Sequence, residues 1–185
     1  MKSHVNGFIR RCDGVTLLEL LITLAIGSIT LSLAIPAMGA LTGNNARSSS
    51  INTMISHIQL ARSEAITRTK RTILCPSLDG QTCNDSIIWD QGYILVEDSN
   101  NNKTVDSDDT LLRVFQGLSD RITVHSTIYR KRILFNPLGM SPGYNLTLSF
   151  CDQQQVVEPK AVIVSNTGRP RLSQTKSDGS PIDCP

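Results

Sequence analysis

Near the C-terminus the run Gly168-Arg169-Pro170-Arg171 places two arginines one residue apart. On an extended segment, residues two apart point to the same side. Guanidinium groups stay charged and form bidentate hydrogen bonds, so Arg169 and Arg171 can straddle adjacent phosphates of a nucleic-acid backbone. Pro170 fixes its own backbone and removes one donor, which stiffens the presentation. Lys176 and the run Arg130-Lys131-Arg132 widen the basic patch if the fold brings them close. The plainer reading is a solvated edge strand on which Arg and Pro discourage pairing. No aromatic interleaves with Arg169 and Arg171, so nucleic-acid contact there would run through the backbone. It would be independent of base sequence and steeply weakened by salt.

A second candidate is the Asn/Asp-rich run from Asp98 to Asp109. Asp98, Asn100, Asn102 and Asp106 stand at positions one, three, five and nine, and Asp109 at twelve, the spacing of a calcium loop. Lys103 holds position six, where the sharp turn wants glycine, and Asp109 is shorter than the usual glutamate. The alternative is a solvated hairpin turn rich in Asx bonds. Catalytic patterns are absent: there is no Gly-x-Ser-x-Gly elbow, phosphate loop or His-Glu-x-x-His. The histidines are His4, His57, expected on a helix surface, and His125, expected partly covered in a strand. An enzyme is not expected, nor a cofactor or another metal.

These residues need elements to carry them. Residues 1–14 are short and basic, with Lys2, Arg10 and Arg11 against Asp13. From Val15 to Ile35 a stretch of 21 residues holds one charge, Glu19. As a helix it spans about 31 Å, enough to cross a bilayer core. Basic residues before it keep its N-terminus in the cytoplasm and send the remainder across the membrane. A cleaved secretory signal has a shorter apolar core. A plain anchor leaves Glu19 unexplained, since a carboxylate near hydrocarbon costs about 2.5–3.5 kcal/mol on insertion scales.

Gly14-Val15-Thr16-Leu17-Leu18-Glu19 resembles the leader junction of type IV pilins and type II secretion pseudopilins. The resemblance implies that a prepilin peptidase cuts after Gly14 on the cytoplasmic side and methylates the new amine of Val15. Glu19 then falls at the family's conserved-glutamate position and Pro36 at its usual helix-bending proline. Physically, Glu19 can neutralise the amine of a neighbouring subunit during filament assembly, which offsets its cost in the membrane. Val15 and Asp13 depart from the commoner residues at their positions.

Beyond the span, Pro36, Gly39 and Gly43 are expected to interrupt the helix. A second helix is expected from Arg47 to Arg68. Ile51, Met54, Ile55, Ile58, Ala61 and Ala65 form its apolar stripe, and Arg47, Arg62 and Arg68 lie off it in solvent. After Arg71 the period changes to two. The expected strands are Thr72–Pro76, Ile87–Glu97, Thr110–Phe115, Arg121–His125, Arg132–Asn136, Tyr144–Cys151, Ala161–Ser165 and Arg169–Ser173. The expected class is α+β: a long N-terminal helix, membrane-spanning in its first half, packed on a small antiparallel sheet or sandwich. The expected division is a leader at 1–14, a membrane and assembly helix at 15–36, a linker and amphipathic helix at 37–71, and a β-rich domain at 72–185. Cys12 falls in the leader. An exported chain with Cys75, Cys83, Cys151 and Cys184 implies two disulfides with three possible pairings, zinc being the alternative. Cys75–Cys83, a small loop, and Cys151–Cys184, which ties back the tail, are favoured.

The exported part resembles the FimT/GspH branch of the pilin superfamily. The likeness is carried by Ala61-Arg62-Ser63-Glu64-Ala65-Ile66, Leu74-Cys75-Pro76, Trp89-Asp90-Gln91-Gly92-Tyr93, Phe135-Asn136-Pro137-Leu138-Gly139 and Val164-Ser165-Asn166-Thr167-Gly168-Arg169-Pro170-Arg171-Leu172. It implies a filament subunit with other pilins or pseudopilins as partners, held in the inner membrane before assembly. The family's DNA-binding members carry Gly-Arg-x-Arg near the C-terminus, which implies Gly168, Arg169 and Arg171 as DNA-binding residues serving natural transformation. The rival implications are a minor pseudopilin of type II protein secretion and a pilus-initiating minor pilin without DNA binding.

Charge sharpens this picture. The whole chain carries 18 Lys+Arg against 16 Asp+Glu, a net +2 that excludes a DNA-coating protein. Asp79–Asp120 carries −7, and Arg47–Leu78 and Arg121–Pro185 carry +4 each. Gly14→Ala is expected to leave the precursor unshortened in the membrane, whereas intact mass and N-terminal sequencing of the wild type should place the mature start at a methylated Val15.

Overall fold

The computed structural model describes residues 14–184 of the 185-residue chain. Of the leader expected at 1–14, only Gly14 lies among them; His4 and Cys12 lie outside. The chain divides into two compact units, one ending at Gly39 and one beginning at Ala40.

The first unit is helical. Helix α1 runs over Leu17–Arg68 and so continues into the second unit. Thr16 caps it: the Glu19 N–H donates to Thr16 Oγ1 at 3.2 Å, the N-cap bond of a Thr-x-x-Glu sequence. The leucines and isoleucines from Leu17 to Leu33 are all exposed, and the segment is long and apolar enough to cross a membrane. Its hydroxyls do not disturb that surface. Thr23, Ser28, Thr30 and Ser32 donate to carbonyls three or four residues back, at 2.7–3.0 Å, which satisfies them without water. The expected interruption at Pro36, Gly39 and Gly43 does not occur. A proline forfeits one ladder bond, but every residue added beyond it contributes another.

The second unit joins the rest of α1 to two four-stranded antiparallel sheets. Strands β1 (Arg71–Pro76), β2 (Gly92–Asp98), β3 (Thr110–Gln116) and β5 (Ile133–Phe135) form one sheet, ordered β3-β2-β1-β5. Strands β4 (Ile122–His125), β6 (Leu146–Asp152), β7 (Lys160–Val164) and β8 (Pro170–Ser173) form the other, ordered β4-β6-β7-β8. The stripe Ile51, Met54, Ile58, Ala61 and Ala65 packs with Leu74, Tyr93, Leu95 and Phe135 of the first sheet. Val124, Leu148, Phe150, Val162 and Val164 of the second sheet complete the same core. The first sheet is buried on its other face too, where Ile73, Cys75, Ile94, Val96 and Leu134 gather with Cys83, Val105 and Tyr144. Two disulfides are present, Cys75–Cys83 at this second core and Cys151–Cys184 at the tail.

Four local expectations change. The strand expected from Ile87 begins only at Gly92, whose φ of 139° ends the preceding turn. Before it, Trp89 is buried and Ile88 makes one isolated bridge to His125. Arg47 is not solvated but 6% exposed, donating to the Glu158 carbonyl and to Asn44 Oδ1 at 2.6 Å. His57 is not a free surface residue: it stacks on Phe115 at 3.9 Å and meets the Tyr93 hydroxyl at 2.7 Å, and burial lowers its pKa. Gly43 is a packing glycine. A Cβ there would lie 2.5 Å from the Arg121 guanidinium.

Arg121 ties α1 to the second sheet. Its Nε and Nη2 grip the buried Asp152 at 2.9 and 3.1 Å, and Nη1 donates to Thr42 Oγ1 at 2.8 Å. This grip, helped by the N–H groups of Gln154 and Val156, lowers the Asp152 carboxyl to about 2. A folded-state pKa below the ordinary value favours the ionised form, so the stabilisation is complete above about pH 4 and is lost as pH falls toward 2. Asp152→Asn should therefore lower stability at neutral pH by about 2–3 kcal/mol. It should also flatten the acid limb between those pH values, both read by urea unfolding across a pH series.

Candidate functional site

The turn that carries Arg169 is built from backbone. The Gly168 N–H donates to the Ser165 carbonyl at 2.8 Å, and the Ser165 N–H to the Arg169 carbonyl at 3.2 Å. Gly168 has φ of 76°, the left-handed region open to glycine. It is also pressed against another chain segment: a Cβ at this position would lie 2.1 Å from the Gly139 carbonyl oxygen. That carbonyl in turn accepts the Arg62 Nε–H of α1 at 2.9 Å. Gly139 has its own φ of 71° and belongs to a tight turn in which its N–H donates to the Asn136 carbonyl at 2.8 Å. Helix, loop and turn thus meet at one oxygen.

From this junction Arg169 projects with Pro170 into an open groove of about 500 Å³ lined by Gln59, Arg62, Ser63 and Ile66. Arg171, in the edge strand β8, stands opposite Ile163 and does not line that groove. Both arginines are exposed. Every other described arginine has a side-chain partner: Arg47, Arg62, Arg113, Arg130 and Arg132 on carbonyls, and Arg68, Arg71 and Arg121 on carboxylates. Among the described residues, Arg169 and Arg171 are the arginines whose guanidinium groups hold none.

The remaining expected site residues lie elsewhere. Gly168, counted with the DNA-binding residues, is buried and shapes the turn that carries Arg169. Lys176 pairs with Asp183, whose carbonyl meets His125 Nε2 at 3.2 Å. Lys131 pairs with Asp85 at 2.7 Å, and Arg130 and Arg132 donate to the carbonyls of Gly143 and Lys103. The Asn/Asp-rich run closes on itself. Asp98 accepts the N–H groups of Asn102 and Lys103, each at 3.0 Å, and pairs with Arg71 at 3.2 Å. Asp106 is held below the usual carboxylate range by the side-chain amide of Asn102, the Asp108 N–H and the Asn100 amide. Asp109 accepts the N–H groups of Ser99 and Asp106. No group of three or more His, Cys, Asp or Glu among the described residues is arranged to hold a metal ion.

Arg62 and Gly139 were missed as site residues. Both stand in the short stretches quoted for the family likeness, yet nothing in the spacing of residues 62, 139 and 168 announces that they converge.

Residues 50–168 match the family of the type II transport protein GspH, and residues 9–35 match the prokaryotic N-terminal methylation motif. The Pseudomonas aeruginosa type IV minor pilin FimU shares the fold at 18% identity, with a TM-score of 0.55 over 72% of this chain and 92% of that one. A second crystal form of FimU gives 0.52 at 18% identity, over 68% and 91%. The minor pseudopilin EpsH of the Vibrio cholerae Type 2 Secretion System matches at 14% identity and 0.47, over 69% and 94%. No curated protein matches at a significant level. The fold is thus that of a pilin-like filament subunit, a long N-terminal helix on a small antiparallel β domain. The chain belongs to the GspH family of minor pilins and pseudopilins, with a pilin-type membrane anchor at its N-terminus.

Gly168→Ala should destabilise by about 2–4 kcal/mol, combining left-handed strain with the clash on Gly139. Gly143→Ala has the same φ of 76° with nothing within 4 Å of the added carbon, and should cost only about 1 kcal/mol. Parallel urea titrations measure the difference.

Proposed function

We propose that this chain is a minor type IV pilin that binds DNA through Arg169 and Arg171 for uptake in natural transformation. Prepilin peptidase cleaves after Gly14 and methylates Val15, and Glu19 neutralises the new amine of a neighbouring pilin. Before assembly the subunit is a single-pass inner-membrane protein with a cytoplasmic N-terminus and a periplasmic β-rich part. In the pilus that part is extracellular.

The observation that carries the DNA reading is the unpartnered state of Arg169 and Arg171 among arginines that are otherwise engaged. A guanidinium without a protein partner keeps its full capacity for phosphate. The turn ahead of Arg169 is fixed, so the ordering cost of the contact falls on the side chains and not on the backbone. Two such contacts suit a weak, sequence-independent grip.

The second reading is a minor pseudopilin of a type II protein secretion system. It is favoured by the family match itself, which ends at Gly168 and leaves both arginines outside.

The test uses the full chain in detergent micelles and duplex DNA. Two phosphate contacts give a log–log salt slope of about −1.8, or roughly tenfold weaker binding from about 50 to 200 mM salt. Arg169→Ala with Arg171→Ala should remove most binding at the lower salt. Binding untouched by the double change rejects Arg169 and Arg171 as the DNA site, and binding absent in the wild type leaves the pseudopilin and the pilus-initiating minor pilin.

A further inference from the structure

Tyr129 is 85% exposed, whereas every other aromatic side chain among the described residues is buried or half-buried. It sits in a turn closed by the Arg130 N–H on the Thr127 carbonyl at 3.0 Å. Three cations follow it directly. Lys131 is neutralised by Asp85, but Arg130 and Arg132 each spend only Nη1 on a neutral carbonyl, so each keeps its charge and has further N–H donors. Tyr129, Arg130 and Arg132 line one depression of about 290 Å³ together with Tyr144 and the Lys131–Asp85 ion pair. An aromatic face beside fixed guanidinium groups matches a nucleotide, with the base on the ring and the phosphate on the cation. Duplex DNA hides its base faces within the stack; unpaired bases expose them.

The loop also adjoins the arginine turn. The carbonyl of Gly143 accepts Arg130, and the Gly143 N–H donates to Asn166 Oδ1 at 3.3 Å. The Ser141 N–H donates to the Asn166 carbonyl at 2.9 Å, and Asn166 lies within the turn that precedes Arg169. Loop 127–132, loop 136–144 and turn 165–169 are thus hydrogen-bonded in series.

We propose that loop 127–132 binds unpaired bases of single-stranded DNA, stacking them on Tyr129 while Arg130 and Arg132 hold the flanking phosphates. The proposal rests on the DNA reading of Arg169 and Arg171 and adds a preference for strand form.

The experiment measures anisotropy of three labelled probes with the full chain in micelles: a single-stranded oligonucleotide, an abasic sugar–phosphate strand of the same length, and a duplex. Tyr129→Ala should weaken the single strand about tenfold and leave the abasic strand and duplex unchanged, while Tyr129→Phe should keep wild-type binding. Equal loss on all three probes, or no loss on the single strand, overturns the stacking proposal. Arg169→Ala with Arg171→Ala separates the two readings. If it weakens all three probes while Tyr129→Ala weakens none, the stacking proposal falls and the DNA reading stands. If the wild type binds no probe, both fall.

Discussion

The carbonyl oxygen of Gly139 is the contact on which the presentation of Arg169 depends. It accepts the Arg62 side chain of α1 at 2.9 Å and lies where a side chain on Gly168 would have to go. Three segments far apart in sequence are fixed against one another by that oxygen. Arg62 acts here as a positioning residue: its charge-assisted bond to a carbonyl holds a loop, and the loop holds the turn. The junction needs α1 to be in place, and α1 is placed by its buried stripe from Ile51 to Ala65. Core packing is therefore the remote cause of an exposed arginine's geometry.

The division of labour among the arginines follows from the same logic. Arg47 anchors the helix to the Glu158 carbonyl, and Arg121 joins Thr42 of the helix to Asp152 of the second sheet. Arg71 holds Asp98 at the base of the Asn/Asp-rich run, whose acids are satisfied by that run's own N–H and amide groups. Burying these groups is tolerable because both terminal nitrogens of Arg47 and the carboxylates of Asp98 and Asp152 find partners. Net charge near zero hides this arrangement, since most of the cations are structural and few are left for solvent.

Much of the fold was legible because it is written in local periodicity. Helical spacing picked out Ile51, Met54, Ile58, Ala61 and Ala65, and alternation picked out seven strands to within two residues at each end and β2 with its start five residues early. Turn residues such as Asn136-Pro137-Leu138-Gly139 marked the boundaries. What failed was non-local. Arg47 and Arg62 lie off the apolar stripe, and the loops packed beside α1 give them their distant partners, the carbonyls of Glu158 and Gly139. Gly43 and Gly168 read as a helix breaker and a ligand-binding glycine, but both are explained by what lies 2–3 Å from their missing Cβ atoms. His57 read as a surface residue because its neighbours Tyr93 and Phe115 are strands away. The presence of Arg169 and Arg171 was evident; their lack of partners required the placement of every other charge.

The Arg62–Gly139 contact holds the 165–169 turn in advance, so that only the Arg169 side chain, and not its backbone, is ordered on binding. Hydrogen–deuterium exchange on the full chain in micelles tests it most directly. In the wild type the Gly168 and Ser165 amides are expected to exchange as slowly as those of β7, and Arg62→Ala to speed them selectively while β7 stays protected. A turn that exchanges freely in the wild type, or one that Arg62→Ala leaves unchanged, would contradict it.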